Sequence, residues 1–362
     1  MDTQPFWFDC SLYPSDILDS EAKQNLLGHS QSEPPRGSRW VRSLFGLIAS
    51  GANLAPNVRS DGRTIDQYSD LPLLMYYLRL DWYAKEQMKD HRIRTFIVDS
   101  FTDTPFKGNP AGVCFIGSQL DDERMLQIAQ ELNLSETAFL SPLDSRNAFA
   151  IRYFSPKMEI PLCGHATLAS AKVIFSIHKL NEVHFINIQN LDLFAKQSNG
   201  HIVMEFPVYE TRPADAPPAL LAALGIEAIK NSVYNEETKI LLLEIGNTEE
   251  LANLDPDFTA LLCSHNSING VLVTAPSEGD DYDFHSRYFW PWSGTNEDPV
   301  TGGTHTFLAK YWASRLGKTK LKSFQSSRRT GFMDVELVNG KLQIKSQAVI
   351  VFEGQLTVEA QS

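Results

Sequence analysis

The sequence predicts an α+β protein with two similar domains, each a curled, mostly antiparallel sheet wrapped around a central helix. The stretch Arg152–Pro156 (RYFSP) recurs as Arg287–Pro291 (RYFWP), and a glycine-led helical segment follows each copy. The copies begin 287 − 152 = 135 residues apart, which is too long for a solenoid period and indicates two facing domains. Small and apolar residues also surround the segment 165–178 on nearly all sides, as in a helix buried within a sheet.

Composition limits the possible partners. The chain has 362 residues, 43% hydrophobic and 21% charged, which is typical of a globular protein with two or three domains. Its formal net charge is −12, and no run of five or more Lys/Arg occurs, so nucleic acid and anionic membranes are not expected partners. Four cysteines without Cys-x-x-Cys spacing argue against a zinc site and a disulfide framework.

The first residues indicate a cytoplasmic protein. Asp2, Asp9, Asp16 and Asp19 make a secretory or Arg-rich targeting leader an unlikely interpretation, and the longest apolar run, 44–49, is far below the roughly 20 residues that span a bilayer. Residues 1–92 are predicted to be an N-terminal extension, partly disordered, with one amphipathic helix near 71–89. A partner-binding role and the absence of any role in the chemistry remain alternatives for this extension.

The first domain is predicted to span residues 93–207. An apolar strand over 94–100 precedes a Gly/Asn/Pro-rich turn at 106–112, and Asp121-Asp122 begin a helix with acids in its first turn. The remaining predicted elements are strands at 113–116, 135–140 and 150–154 and the helix at 165–178.

A Pro-rich link at 207–218 leads to the second predicted domain, 219–347. Its predicted elements are strands near 239–245, 270–274 and 287–289, a helix over 304–315, and strands at 333–338 and 341–346. Asn339-Gly340 favours a tight hairpin between the last two. A strand at about 348–358 is a candidate to return to the first domain.

The two helix starts are candidate anion sites. Gly164 and Gly302-Gly303 expose backbone N–H groups at the N-termini of two buried helices, where the free N–H groups and the helix dipole favour a carboxylate. The alternative is that these glycines only permit tight strand-to-helix turns.

Three side chains are candidates for proton transfer. Glu136 lies among hydrophobic residues on a short strand, where its charged form would be disfavoured, as in a general acid/base. His165 would lie at a helix N-terminus that favours its neutral form, and Asp298 would project near the second helix start. The alternatives are a solvent-facing glutamate, a core histidine and a capping aspartate. No histidine pair has the i, i+4 spacing of a metal site and no phosphate-binding loop follows a strand, so neither metal nor cofactor is predicted.

Five segments together resemble the phenazine biosynthesis PhzF-like family, which has the diaminopimelate-epimerase-like fold. They occur in family order and span residues 93 to about 358; the chain is most similar to the animal phenazine biosynthesis-like domain-containing proteins, also at 324–329. The segments are Val98–Thr102, Gly108–Ala111, Ser135–Phe139, Cys163–Thr167 and Glu297–Gly302.

The resemblance implies a homodimer that performs cofactor-free proton transfer, as in a biosynthetic isomerase, in the cleft between its domains. It implies that Glu136 takes a proton from carbon and returns one to another atom, while His165 and Asp298 assist. It also implies that the small carboxylated substrate is bound around the helix starts. The candidate substrate-binding residues are Asn109, Gly164, Ala166, Gly302, Gly303 and Thr304.

Two departures from the family separate three hypotheses. Gly303 stands where the family often has serine, which removes a hydroxyl from the inferred site. Related epimerases and racemases have a cysteine before the glycine in both halves, whereas this chain has Cys163 and Thr301. A one-carboxylate isomerase using Glu136 is therefore the leading hypothesis, and a non-catalytic binding or scaffold protein and a racemase using Cys163 are the alternatives.

Overall fold

The structure is a computed structural model that describes residues 92–116, 120–143, 147–279, 281–293 and 295–357. The predicted extension and its helix near 71–89 lie outside these residues, apart from Arg92. None of the helices in the described ranges is long and apolar enough to cross a bilayer.

Strands dominate the described chain. They are β1 Arg92–Ser100, β2 Asn109–Phe115, β3 Glu136–Pro142, β4 Ala148–Phe154, β5 Glu159–Ile160, β6 Glu182–Asn187, β7 Asp192–Ser198, β8 His201–Pro207, β9 Arg212–Pro213, β10 Asn231–Asn235, β11 Ile240–Glu244, β12 Gly270–Pro276, β13 Phe284–Trp290, β14 Thr295–Asp298, β15 Lys320–Gln325, β16 Gly331–Val338, β17 Lys341–Ser346 and β18 Ala348–Thr357. The helices are α1 Asp122–Leu132, α2 Gly164–His178, α3 Pro218–Leu224, α4 Thr248–Ala252, α5 Phe258–Ser264 and α6 His305–Leu316, with a 3₁₀ turn at Pro291–Ser293.

The strand pairing repeats one plan twice. In the first half, β2 is antiparallel to β1 and parallel to β3, β4 is antiparallel to β3 and β5 and parallel to β6, and β6, β7 and β8 are consecutive antiparallel neighbours. The second half repeats these relations. Strand β10 corresponds to β1, and β11, β12, β13, β14, β15, β16 and β17 correspond in order to β2, β3, β4, β5, β6, β7 and β8. The α+β class with two similar sheet-and-helix units is therefore confirmed, while the predicted domain limits stay predictions.

Two pairings join the halves. β17 is antiparallel to β8, and the C-terminal strand β18 is antiparallel to β1. β18 therefore lies beside the first-half strand β1, although it follows all the second-half strands in sequence.

The helices α2 and α6 begin beside the candidate site. Ten of the 15 residues of α2 are buried, and the helix packs against strands β1, β2, β3 and β18. α6 packs against β15, β16 and β17 and buries Phe307, Leu308 and Trp312. Because each helix is apolar on most of its surface, the sheet fixes the helix and hence the position of its N-terminus.

The turn predicted over 106–112 is longer than the observed one. It ends at Gly108, whose φ of +67° and close approach to the Ser100 carbonyl require glycine. Asn109, Pro110 and Ala111 instead pair with β1, from Ser100↔Asn109 onward, and the strand is buried over almost its whole length. Burial between β1 and β3 thus outweighs the local turn chemistry of Asn-Pro-Ala-Gly, and Asn109 is placed at a strand end.

Candidate active site

Glu136 and His165 meet where a strand begins beside a helix. Glu136 is the first residue of β3 and His165 the second residue of α2. His165 Nε2 lies 3.2 Å from Glu136 Oε2, and the two side chains retain only 9% and 10% exposure. Both groups are thus nearly desolvated and within reach of proton exchange.

Burial tunes the Glu136 carboxyl. Desolvation raises its pKa from the usual value of 4.5 to about 7, and the nearby charge of Asp298 adds to the rise. Hydrogen bonds from Ser135 and Cys163 favour the ionised form and oppose the shift. The ionised and neutral forms of Glu136 are therefore both populated near neutral pH.

His165 is held as a neutral imidazole. Burial lowers its pKa to about 3, so its ring has one N–H and one lone pair near pH 7. Cys163 Sγ lies 3.3 Å from Nδ1, and Ser135 Oγ lies 3.3 Å from Nε2. The tautomer with the proton on Nε2 directs that N–H toward Glu136 and Ser135 and leaves the Nδ1 lone pair facing the Cys163 sulfur.

Cys163 is the N-cap residue of α2, and its side chain makes no capping hydrogen bond. Desolvation, followed by the charge of Glu136, raises the pKa of its thiol well above the usual range, against the opposing effect of the Ala166 and His165 backbone N–H groups. Cys163 therefore remains a thiol at neutral pH, which makes it a poor base.

Asp298 reaches the site from the second half of the chain, at the end of β14. Its Oδ1 accepts a 2.8 Å hydrogen bond from Asn109 Nδ2, and its Oδ2 accepts from the Thr301 hydroxyl. Desolvation raises its pKa to about 6, while these two hydrogen bonds lower it. The Asp298 side chain is partly buried and remains mostly ionised at neutral pH.

Asn109 links the two halves of the site. Its side chain is fully buried and donates 2.8 Å hydrogen bonds to Asp298 Oδ1 and the Val300 carbonyl. Its Oδ1 lies 3.4 Å from Ser135 Oγ, which in turn contacts His165. With its amide nitrogen engaged by protein groups, Asn109 is better suited to positioning Asp298 than to direct contact with a ligand.

The two glycine-led turns differ in detail. α2 begins at Gly164 itself, whereas α6 begins at His305, with Thr304 as its N-cap residue. A tighter turn precedes α6, in which His305 N–H donates to the Gly302 carbonyl over 3.1 Å. Gly302 is therefore one turn before the helix, and the glycines still lead into it as expected.

Ala166 and Thr304 are completely or almost completely buried. The Thr304 hydroxyl donates to the Thr301 carbonyl over 3.1 Å. The side chains of these two residues are therefore not accessible to a ligand. Gly303, by contrast, is exposed, and a Cβ there would meet nothing within 4 Å.

Sequence reasoning missed the supporting residues. Gln325 is buried, accepts from Thr301 N–H over 2.9 Å and donates to the Asp298 carbonyl over 2.7 Å, which fixes the turn that holds Asp298. Ser135 adjoins Glu136 and could have been found from that adjacency. Gln325 lies in the segment 324–329 that resembles the animal proteins, but it is 27 residues from Asp298, and no local pattern predicts their contact.

His305 is a structural residue. It is fully buried, and its ring nitrogens contact the Thr301 carbonyl and Ser323 Oγ at 3.0 and 2.8 Å. Burial lowers its pKa to about 4, so it is neutral.

Comparison with known proteins identifies the family. A sequence profile described as phenazine biosynthesis-like protein (PhzC-PhzF) matches residues 98–354. This chain belongs to the PhzC-PhzF family. The match contains every candidate site residue named above and excludes the first 97 residues of the chain.

Individual relatives agree with the PhzC-PhzF assignment. The mouse phenazine biosynthesis-like domain-containing protein 2 is 40% identical over 74% of this chain and 99% of its own length. An uncharacterized isomerase of Pseudomonas aeruginosa is 41% identical over 72% of this chain and 97% of its own length. A crystal structure of a PhzF-family protein from Enterococcus faecalis, 34% identical, covers 74% of this chain and all of its own, with a TM-score of 0.69.

Proposed function

We propose that this protein is a cofactor-independent isomerase that moves a proton between two atoms of a small carboxylated metabolite. Glu136 is the general acid/base. The observation that supports this most strongly is the buried contact of Glu136 with a neutral histidine, combined with a Glu136 pKa of about 7. A group whose pKa lies near the working pH can both accept and donate a proton efficiently.

In the proposed reaction the ionised Glu136 removes a proton from a carbon activated by a neighbouring carbonyl or double bond. The C–H bond breaks and its electron pair enters the conjugated system. The proton on the Glu136 carboxyl exchanges with solvent, and the carboxyl then delivers a proton to another atom, where a new bond to hydrogen forms. No oxidant, reductant or second base is needed, because one proton leaves and one returns.

The neighbouring residues have separate proposed roles. Neutral His165 orients Glu136 and relays protons, and Asp298 positions the substrate while its charge keeps the Glu136 pKa high. Backbone N–H groups at Gly164, Ala166, Gly302, Gly303 and Thr304 hold the substrate carboxylate. We propose Asn109 as a positioning residue for Asp298. A homodimer and a cytoplasmic location stay predictions.

The two alternatives receive less support. A two-base racemase needs a second thiol facing Cys163, but the corresponding residue is Thr301, whose hydroxyl donates to Asp298. A scaffold without turnover would not need a buried glutamate with a raised pKa, since such a group costs stability at neutral pH. Gly303 and the N-terminal extension were the features that motivated the scaffold hypothesis.

The test is deuterium incorporation from D₂O, followed by NMR over a panel of cyclic and unsaturated carboxylic acids. We expect one substrate class to gain deuterium at a single carbon with wild type. Glu136→Gln keeps the shape of the side chain but removes the base, so the rate should fall by about 10²- to 10⁴-fold.

Glu182→Gln is the matched control. Glu182 makes an exposed ion pair with Lys196 on β6 and β7, so this variant should exchange at the wild-type rate. Equal rates for Glu136→Gln and wild type would refute the assigned role of Glu136. The absence of exchange with every acid in the panel would favour the scaffold hypothesis.

A further inference from the structure

Three side chains of the site form a cluster whose chemistry extends beyond proton transfer. One ligand atom each from Glu136, Cys163 and His165 lies within 4.8 Å of the others, and all three residues are buried. Nε2 of His165 lies 3.2 Å from Glu136 Oε2 and 4.0 Å from Cys163 Sγ. A carboxylate oxygen, an imidazole nitrogen and a thiol sulfur therefore lie around one common point.

These distances fit a single tetrahedral metal ion. Zn²⁺ binds sulfur at about 2.3 Å, imidazole nitrogen at about 2.0–2.1 Å and carboxylate oxygen at about 2.0–2.2 Å, which places such ligands roughly 3.3–3.6 Å apart. The Nε2–Oε2 separation of 3.2 Å is close to that range. Cys163 Sγ lies 4.0 Å from Nε2 and 3.3 Å from Nδ1, so its side chain must rotate toward Nε2 to share the ion. Three protein ligands also leave one coordination position open.

We propose that Glu136, Cys163 and His165 form a binding site for Zn²⁺ or another thiophilic divalent cation, and that occupancy of this site stops proton transfer. Binding releases the Cys163 thiol proton to solvent, and the imidazole proton resides on Nδ1 so that Nε2 ligates the ion. Glu136 then contributes its oxygen to the metal and cannot act as a base. The second part of the proposal rests on the proposed function, whereas the first does not.

Charge balance supports a cation at this place. One Zn²⁺ with one thiolate, one carboxylate and a neutral imidazole gives a site with no net charge, which lowers the cost of burial. Asp298 adds a further negative charge that acts on Glu136 and Cys163. Binding through Nε2 requires the other neutral tautomer of His165, in which the proton has moved from Nε2 to Nδ1.

The ligand set also predicts selectivity. Thiolate and imidazole favour Zn²⁺ and Co²⁺, whereas Mg²⁺ and Ca²⁺ prefer oxygen ligands. The lack of an i, i+4 histidine pair does not bear on this site, because its ligands come from a Cys-x-His sequence at the start of α2 and a glutamate 27 residues earlier on β3.

Cobalt is the probe, since Co²⁺ bound by thiolate in a tetrahedral site absorbs in the near ultraviolet and visible. Full-length protein is stripped with a chelator, kept reduced, and titrated with CoCl₂. We expect one Co²⁺ per chain with thiolate absorption, displaced by ZnCl₂ and unaffected by MgCl₂. Cys163→Ser should weaken binding by more than about 100-fold, because loss of a ligand exceeds the 10- to 100-fold effect of outer-shell changes.

The controls separate this site from other thiols. Cys263 is an exposed free cysteine, so Cys263→Ser should bind Co²⁺ like wild type. Glu136→Gln, which preserves the thiol, should keep the thiolate band but weaken binding; thermal melts establish that each variant is folded. A thiolate band that persists in Cys163→Ser, or no band in wild type, would overturn the metal site.

The second arm measures deuterium exchange with and without ZnCl₂. Exchange that stops as zinc fills the site supports the proposal, and exchange that continues or accelerates in the zinc-loaded protein overturns the inhibitory part. Because cobalt binding is measured by absorption, a protein that binds Co²⁺ but exchanges no proton would refute the proposed function without refuting the metal site.

Discussion

The two copies of Arg-Tyr-Phe-x-Pro build the same scaffold. In each, the arginine forms a two-pronged ion pair with a glutamate across a hairpin: Arg152 with Glu159 at 2.7 and 2.7 Å, and Arg287 with Glu297 at 2.7 and 2.9 Å. Each guanidinium also lies over the phenylalanine two residues later, 5.2 and 4.9 Å from the ring centre. The repeated arginine therefore has a structural role that the duplication preserves.

The chemical groups differ at equivalent positions. Strand register aligns Glu136 with Gly270, because Thr137 pairs with Phe154 as Val271 pairs with Phe289. At Gly270 a Cβ would lie 2.6 Å from the Tyr288 ring, so no glutamate fits there without rearrangement. Asp298 corresponds to Ile160, because Asp298 pairs with Tyr288 and Ile160 pairs with Tyr153, the equivalent tyrosine of the first copy.

The residues that the two copies share thus form the scaffold, and the residues that differ between them form the candidate site. The first half contributes a carboxylate where the second has glycine, and the second contributes a carboxylate where the first has isoleucine. Each half alone holds one of the two acidic groups. The acidic groups of the candidate site are therefore not related by the two-fold repeat of the scaffold.

The largest expected difference between the copies is in stability. Arg287 and Glu297 are 10% and 17% exposed, and Arg287 also donates to the Leu254 carbonyl over 2.6 Å; Arg152 is 25% exposed. Arg287→Met should lower the free energy of unfolding by about 3–5 kcal/mol, because it leaves a buried carboxylate unpaired, and Arg152→Met by about 1–3 kcal/mol. Urea unfolding of both variants checks this; equal losses would contradict the difference between the copies.

The glycines that begin the two turns should also differ. A Cβ on Gly302 would lie 2.8 Å from the Phe101 ring, whereas one on Gly164 would make an ordinary 3.7 Å contact with Phe206. We expect Gly302→Ala to destabilise by about 1–3 kcal/mol through overpacking and Gly164→Ala by less than about 1 kcal/mol. Thermal and urea unfolding measure both, and a larger loss for Gly164→Ala would show that the turns are packed differently.

The coupling of the two carboxylates predicts a pH effect. The charge of Asp298 raises the Glu136 pKa, so Asp298→Asn should lower that pKa toward its usual value. Because the ionised Glu136 starts the reaction, the exchange rate rises with pH through the Glu136 pKa, and this rise should move to lower pH in Asp298→Asn. The rate–pH profile in D₂O tests this. Asp334→Asn is the control, because the Asp334 side chain is about half exposed and pairs with Lys345. An exchange rate that rises over the same pH range in Asp298→Asn as in wild type would contradict the coupling.

The smallest expected effect concerns the single thiol. Cys163→Ser removes a weak contact with His165 but no base, so the exchange rate should stay within about tenfold of wild type, as loss of one hydrogen bond costs on the order of 1 kcal/mol. Deuterium exchange at a saturating substrate concentration measures it. Complete loss of exchange in a folded Cys163→Ser protein would instead support the racemase hypothesis.

The sequence predicted the elements whose signals are local. The continuous small and apolar residues of 165–178 predict α2, and the Asn339-Gly340 turn, with φ of 53° and 76°, confirms the predicted hairpin between β16 and β17. The strand β7, Asp192–Ser198, has only one buried residue. Its sequence therefore lacks the alternation that marks a strand, and partners set its conformation instead.

Candidate site residues could be named from the sequence, but their contacts could not. Resemblance to the family singled out Glu136, His165 and Asp298, and short motifs made that possible. The hydrogen bond from Asn109 to Asp298 spans 189 residues, and no local pattern encodes a contact between two such distant strand ends. The raised pKa of Glu136 likewise depends on burial and on the charge of Asp298 from the other half, which only the folded chain brings together.

The pKa of Glu136 itself can be measured without a substrate and tests its role as general acid/base most directly. Protein labelled with ¹³C at the glutamate carboxyl groups is titrated by NMR, and the Glu136 signal is assigned by its loss in Glu136→Gln. We expect the Glu136 carboxyl to titrate near pH 7 in wild type and at lower pH in Asp298→Asn. A Glu136 signal that titrates near its ordinary pKa of 4.5, unchanged in Asp298→Asn, would contradict it.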